Sequence, residues 1–304
     1  MDISLTEASV VIKARHNWNF GFIIAALIAM IFVFPIVSIV WISTSVETSQ
    51  WTHLISTVLP RYLTNSLILM AGVGLLSLIL GTSLAYLITH IKFPGSGIIK
   101  YALFLPLTMP SFIAAYTWVE VLEYAGPFQT SLRDMAGWSS ARDYWFPNVR
   151  SLSGAILVLS FALYPYVYLL ARAAFRELPS SGQDAARALG LGYLRQFWRI
   201  CLPQARPAIV AGTAIVMMET LNDFGTVDYF AVQTLTTGIF SLWLESYNPG
   251  GAAQLALLAV AIVAALLVVE RLGRRNSRFN KTGRQLARIE PQKVSNLIGF
   301  FTLI

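Results

Sequence analysis

Charge is what this chain has least of. Asp, Glu, Lys and Arg make up 12% of its 304 residues, about half the share found in a soluble domain. Hydrophobic residues supply 56%, and the mean hydropathy is +0.63. Cysteine is nearly absent: Cys201 stands alone, which excludes an intrachain disulfide and a thiolate metal cluster. The three histidines, His16, His53 and His90, fall in separate predicted loops and form no ligand set of the His-Glu-x-x-His kind. No Gly-x4-Gly-Lys-Ser/Thr phosphate loop occurs, so the chain has no ATP site of its own. No spacing suggests a nucleophile with its base. Neither a cofactor nor a metal site is expected.

Long apolar runs are present instead. The first, Phe20–Ile42, is long enough to cross a bilayer core, which takes about 20 residues. It exceeds a signal-peptide apolar region, and no small-residue cleavage site follows, so it is an uncleaved span. Further spans are predicted near Leu63–Ile88, Ile98–Leu122, Leu152–Ala174, Ala208–Phe230 and Ala252–Val269. The second carries Gly72, Gly74, Gly81 and Ala85, small residues that let helices approach closely in lipid. Pro106 and Pro110 interrupt the third span and Pro165 the fourth, as simple kinks or as part of a water-filled path.

The net charge of +7 suggests nucleic acid, but the distribution of that charge argues against it. All but four of the 22 Lys and Arg residues lie on one side of the six spans; Arg61, Arg133, Arg142 and Arg150 are the exceptions. Basic residues stay cytoplasmic, so both termini face the cytoplasm, and the membrane is the partner rather than nucleic acid. The chain divides into a cytoplasmic segment 1–19, a six-span domain 20–270 and a basic tail 271–304. The tail ends in the apolar Leu-Ile-Gly-Phe-Phe-Thr-Leu-Ile, which is expected to be the start of a cut-off seventh span. The external loop Glu123–Arg150 is aromatic, with Tyr124, Phe128, Trp138, Tyr144, Trp145 and Phe146. It is expected either at headgroup depth or as a docking surface for another protein. The external loop Ala231–Gly251 has no basic residue and ends in a turn, Asn248-Pro249-Gly250-Gly251.

Ser180–Pro207 is a polar, Arg-rich stretch between two spans. Pro179 ends what precedes it, and Ser180 with Gln183 or Ser181 with Asp184 offers a capping start. Gly190 and Gly192 should turn the chain, and a second short helix, Tyr193–Cys201, should follow before Pro203. Cys201 is expected there as a small apolar contact. The spacing is Asp184-Ala185-Ala186, three residues, Gly190, nine residues, then Ile200-x-Leu202-Pro203. It resembles the Glu-Ala-Ala, Gly, Ile-x-Leu-Pro loop of binding-protein-dependent ABC importer permeases, with Asp184 in place of the Glu. The resemblance implies an all-α membrane protein with the type I importer permease fold and a cytoplasmic coupling helix. It also implies partners: cytoplasmic ABC ATPase subunits that dock at that loop and bind ATP themselves, a periplasmic solute-binding protein, and a second permease half or second copy. The location it implies is the bacterial inner membrane.

The fifth predicted span carries Glu219, Asn222, Asp223 and Asp228. Ionisable groups at membrane depth are costly and face a partner, a cavity or water. Helical spacing puts Glu219, Asn222 and Asp223 on one face, with Glu219 near mid-membrane and Asp228 at the outer interface. They line a translocation pathway, or they hydrogen-bond between helices to fix the bundle. The stretch from Asn222 to Leu258 is similar to iron(III) importer permeases, which themselves resemble thiamine, polyamine and sulfate permeases. That family usually fuses two such halves. A membrane enzyme using these carboxylates is the competing reading, and it lacks a histidine, metal set or serine motif beside them.

Overall fold

A computed structural model describes residues 20–44, 56–179, 188, 190–275 and 292–293. Among them, helix dominates. Five helices are long and apolar enough to cross a membrane, and a bent pair supplies a sixth crossing if counted as one. The first, α1 (Phe20–Ser43), packs on the last, α11 (Pro249–Arg275), where Gln254 Nε2 donates to the Ser43 carbonyl at 3.1 Å. The second, α2 (Leu59–His90), has 32 residues, about 48 Å at 1.5 Å per residue. It is longer than predicted at both ends.

The third span is broken, as its prolines require. A short α3 (Ser96–Ala102) leads to a 3₁₀ turn at Leu105–Thr108. Met109 is extended, and α4 (Ser111–Leu122) starts afresh before α5 (Pro127–Ala136). The two halves meet at 99°. Carbonyls near this break cannot be left bare in lipid. Tyr164 OH donates to Leu103 O at 3.2 Å, and Tyr168 OH to Lys100 O at 3.3 Å. Both tyrosines lie on α6 (Leu152–Arg176), the fourth span. Pro165 sits buried inside α6, and the helix runs through it, contrary to the interruption expected from sequence. A proline lacks one N–H, and packing of α6 against the second and fifth spans holds the remaining turns in place.

The fifth span is α8 (Leu202–Asn222). It continues without interruption from a single turn, α7 (Tyr193–Gln196), through a π-helical segment at Phe197–Cys201. The predicted stop before Pro203 is absent: the π-helical turn just ahead of it, where Leu202 N donates to Phe197 O, carries the helix past the N–H that Pro203 lacks. At the far end the helix stops at Asn222, well short of the predicted Phe230. Short helices follow, α9 (Gly225–Tyr229) and α10 (Leu235–Phe240), the latter with a π-helical extension Ser241–Glu245. The predicted turn at Asn248 is a helix start: Gly251 N donates to Asn248 Oδ1 at 2.9 Å, at the first turn of α11.

The helices α2, α6 and α8 pack on one another around Val73, Leu159, Val167, Tyr168, Phe175 and Val216. A smaller cluster, Met70, Leu221, Leu235 and Leu255, joins α2, α8, α10 and α11. The small residues noted in the sequence permit this approach. A Cβ on Gly72 would lie 2.8 Å from Ile156 Cδ1, and one on Gly74 would lie 2.9 Å from Met217 Cγ. Two residues just after α2, Ile91 and Lys92, pair in parallel with Gln292 and Lys293, so the tail returns to that end of the bundle.

Candidate functional site

Of the predicted coupling residues, Asp184, Ala185 and Ala186 lie outside the described residues. Gly190 has φ +73, the left-handed turn that its sequence position calls for, with open space where a Cβ would go. Gln196 is buried and closes the turn, its Nε2 donating to Leu191 O at 2.7 Å. Ile200, Leu202 and Pro203 are half-buried along the π segment and the first turn of α8. Exposed Leu194 and Trp198 stand on the same stretch. Cys201 is wholly buried, its Sγ 3.9 Å from His90 Nε2. His90 is therefore no loop residue: it ends α2, buried and stacked on Tyr86 with ring centroids 4.3 Å apart. His16 and His53 lie outside the described residues.

The polar groups of the fifth span separate into two kinds. Glu219 and Asn222 lie on the last turns of α8 and are exposed, on a face that no other described helix covers. Asp223 does not share that face. Its backbone is extended, with ψ 124, so the chain has left the helix. Asp223 Oδ1 accepts from Thr226 N at 2.9 Å and from Val227 N at 3.4 Å, and Oδ2 accepts from Thr226 Oγ1 at 3.1 Å. The carboxylate thus caps α9, and this local bonding competes with continuing the helix. The predicted shared face of Glu219, Asn222 and Asp223 is corrected on that ground. Asp223 Oδ2 also accepts from Ser111 Oγ at 2.5 Å, at the first residue of α4. Its carbonyl accepts from Thr236 Oγ1 of α10 at 3.0 Å. Around it, α4, α9 and α10 meet the end of α8. Sequence reasoning missed Ser111, Thr226 and Thr236. An Asp three residues before a Thr, with Gly between, is an N-cap spacing and was the available signal for Thr226.

Asp228 is exposed on α9. Beside it a cluster forms at this end of the bundle. Arg150 Nε donates to Glu123 Oε1 at 2.6 Å, and the guanidinium lies 4.8 Å over the Tyr229 ring. Tyr229 in turn neighbours Tyr116, ring centroids 5.7 Å apart. The bond to Glu123 raises the Arg150 pKa above its ordinary value. Exposed Glu120, together with Glu123, leaves the cluster with more carboxylate than cation.

The aromatic loop is knotted on itself. Buried Gln129 donates through Nε2 to Leu122 O at 2.7 Å and accepts from Tyr144 OH at 2.6 Å. Arg133 donates to Tyr124 O and to Tyr144 OH at 2.8 and 3.0 Å. Trp138 stacks on Tyr144, and Phe128 lies against Phe146. Trp145 stands 85% exposed. A cavity of about 430 Å³ opens between this loop and the Glu123–Arg150 pair.

Residues 77–278 match the family described as binding-protein-dependent transport system inner membrane component. A curated relative, the Fe(3+)-transport system permease protein FbpB 2 of Haemophilus influenzae, is 27% identical over 250 residues, 80% of this chain. The chain spans 44% of the length of that relative. The molybdenum transport system permease protein ModB of Escherichia coli K12 is 28% identical over 209 residues, 66% of this chain and 87% of ModB. The fold is similar to that of a solved bacterial ABC transporter involved in import of the acidic polysaccharide alginate. There the TM-score is 0.69 at 16% identity, over 85% of this chain and 96% of the other. The multi-pass helical bundle agrees with these matches. This chain belongs to the binding-protein-dependent transport system inner-membrane components, and its fold is that of a type I ABC importer permease.

Proposed function

We propose that this chain is the translocating subunit of an ATP-driven importer and that its solute is ferric iron, delivered by a periplasmic binding protein. The observation that carries the solute reading is the chemistry of the open groups. Glu219 and Asn222 are exposed on α8, and Asp228 and Glu120 are exposed at the end of the bundle where α8 stops. Hard carboxylate oxygens attract a small trivalent cation, and the same charge repels the oxyanions that molybdate and sulfate permeases carry. The iron-transport relative supports the same choice.

In this reading ABC ATPase subunits dock at Asp184, Ala185, Ala186, Gly190, Ile200, Leu202 and Pro203 and supply the ATP site. The binding protein docks on the outer loops. A second permease unit, a copy of this chain or a second half, closes the pathway against the open face of α8. Segment 1–19 and tail 271–304 then lie in the cytoplasm on either side of the spanning region 20–270. Membranes holding this chain with its ATPase and binding protein should take up radiolabelled ferric iron only when ATP is supplied. Uptake of molybdate, sulfate, thiamine or a polyamine in its place would overturn the solute and leave the importer. Failure of any ATPase to stay with the solubilised chain would overturn the importer itself.

A further inference from the structure

We propose that Asp223 is a positioning residue of the transport cycle: a clasp that ties the outer end of α8 to the start of α4, so that the fifth span and the outer half of the broken third span move as one. The proposal rests on the importer reading above and extends it to a residue whose sequence position suggested a pathway ligand.

Ser111 and Asp223 are 112 positions apart, and each lies at a helix break, Ser111 just after the 99° bend of the third span and Asp223 just after the end of α8. The same carboxylate caps α9 through Thr226, and the Asp223 carbonyl holds Thr236 of α10. The next residue of α4 is equally close to α9: a Cβ on Gly225 would lie 3.0 Å from Phe112 Cβ. Downward, one continuous helical span, Leu194–Asn222, leads from the Gly190 turn to the clasp. Its 29 residues cover about 43 Å at 1.5 Å per residue. A displacement at the Gly190 turn is carried along this rigid element to Asp223 and passed by the carboxylate to α4. Through α4 it reaches the Glu123–Arg150 pair and the aromatic loop, which begin where α4 ends. Without the clasp only packing, through buried Ala115 and Val119, holds the outer half of the third span beyond the Pro110 break.

Hydrogen-bonding capacity, rather than charge, is what this role needs. Asparagine retains it: Oδ1 still accepts from Thr226 N, and Nδ2 donates to the Ser111 hydroxyl, which can also accept.

The test uses the full chain with its ATPase and binding protein, in a Cys201→Ala background carrying Phe112→Cys and Gly225→Cys. The Cβ spacing here is 3.0 Å, so a bridge at the usual distance of about 3.5–4.5 Å needs the two backbones to part by roughly half an ångström, and bridging is read as loss of maleimide labelling after mild oxidation. Two further readings are the rise in ATP hydrolysis on adding loaded binding protein, and ferric iron uptake. Asp223→Ala should lower bridging and stimulation by about fivefold each, the size expected from losing one such hydrogen bond. Ser111→Ala, which spares the α9 cap, should lower both in the same direction at unchanged protein level, and it stands in if Asp223→Ala fails to accumulate. Asp223→Asn should retain both. Unchanged bridging in Asp223→Ala and Ser111→Ala would overturn the clasp. So would loss of bridging with full stimulation. If Asp223→Asn bridges normally and yet fails as badly as alanine, the charge itself is required and the positioning role is wrong. Absence of iron uptake in the parent chain bears on the importer and iron readings and leaves the clasp standing, since bridging is read without any solute.

Discussion

Gly81 and Val167 leave no room between α2 and α6: a Cβ on Gly81 would sit 2.7 Å from Val167 Cβ and 2.8 Å from the Tyr164 carbonyl. Across the other side of Val167, a Cβ on Gly212 of α8 would come within 2.9 Å of its Cα. Three spans thus converge on one residue, with a glycine on each flank. Backbone lies among the clashing atoms, so relief by a rotamer change is not available.

Gly81→Ala should therefore cost about 1–3 kcal/mol, the usual penalty for overpacking, and Gly81→Val more. Gly97→Ala on α3, where nothing lies within 4 Å of a Cβ, is the matched control and should be neutral. Thermal unfolding in detergent and membrane abundance measure both. Equal stability of Gly81→Ala and Gly97→Ala would refute the close packing.

At Gly190 the constraint is backbone alone, because φ is +73 and a side chain would meet open space. Gly190→Val should abolish transport and ATPase retention while the chain still inserts. Asparagine tolerates the left-handed region better than a β-branched residue, so Gly190→Asn should keep most of both. Equal behaviour of the two variants would show that the turn is not what the site requires.

Glu219→Gln and Asp228→Asn remove charge from exposed groups, and neither should lower the protein level. Each should slow ferric iron uptake several-fold, on the order of one tenfold step for both together, as expected if each contributes up to about 1 kcal/mol of attraction in a wet path. Normal uptake in the double variant at normal abundance would remove these groups from the pathway.

Tyr144→Phe deletes the hydroxyl that donates to buried Gln129 and accepts from Arg133. Leaving those partners short should cost the loop about 1–2 kcal/mol. Limited proteolysis within 137–150 should then quicken several-fold, while cleavage elsewhere is unchanged. No change in the cleavage rate would mean the knot does not hold the loop.

The charge asymmetry, with all but four of the 22 basic residues assigned to one side of the predicted spans, makes cytoplasmic termini the expected orientation. Alkaline phosphatase inserted near Glu245 should be active, since it needs the periplasm, and the same enzyme fused after Lys293 should be silent. The reverse pattern would invert the topology and with it the placement of the coupling loop.

The spans, the break at Pro106 and Pro110, the close glycines of α2 and the turn at Gly190 were all legible in the sequence, because each depends on local properties. Hydropathy adds along a run, proline acts on its own turn, and glycine alone takes a left-handed φ without strain. The end of α8 was not legible. Helical spacing continues past Asn222, and the chain stops there because the Asp223 carboxylate finds Thr226 ahead of it and Ser111, far away in sequence. The same holds for Pro165, which local rules make a breaker and which packing holds inside an unbroken α6. His90, a polar residue ahead of a Gly- and Pro-containing turn, looks like a loop side chain until Tyr86, Phe175 and Cys201 close over it. Sequence by itself determined which segments enter the membrane, since lipid tests each segment's own polarity. Tertiary structure decided where those segments break and which carboxylates stay open, because a polar group's fate in a bundle is set by partners that only folding brings within bonding distance.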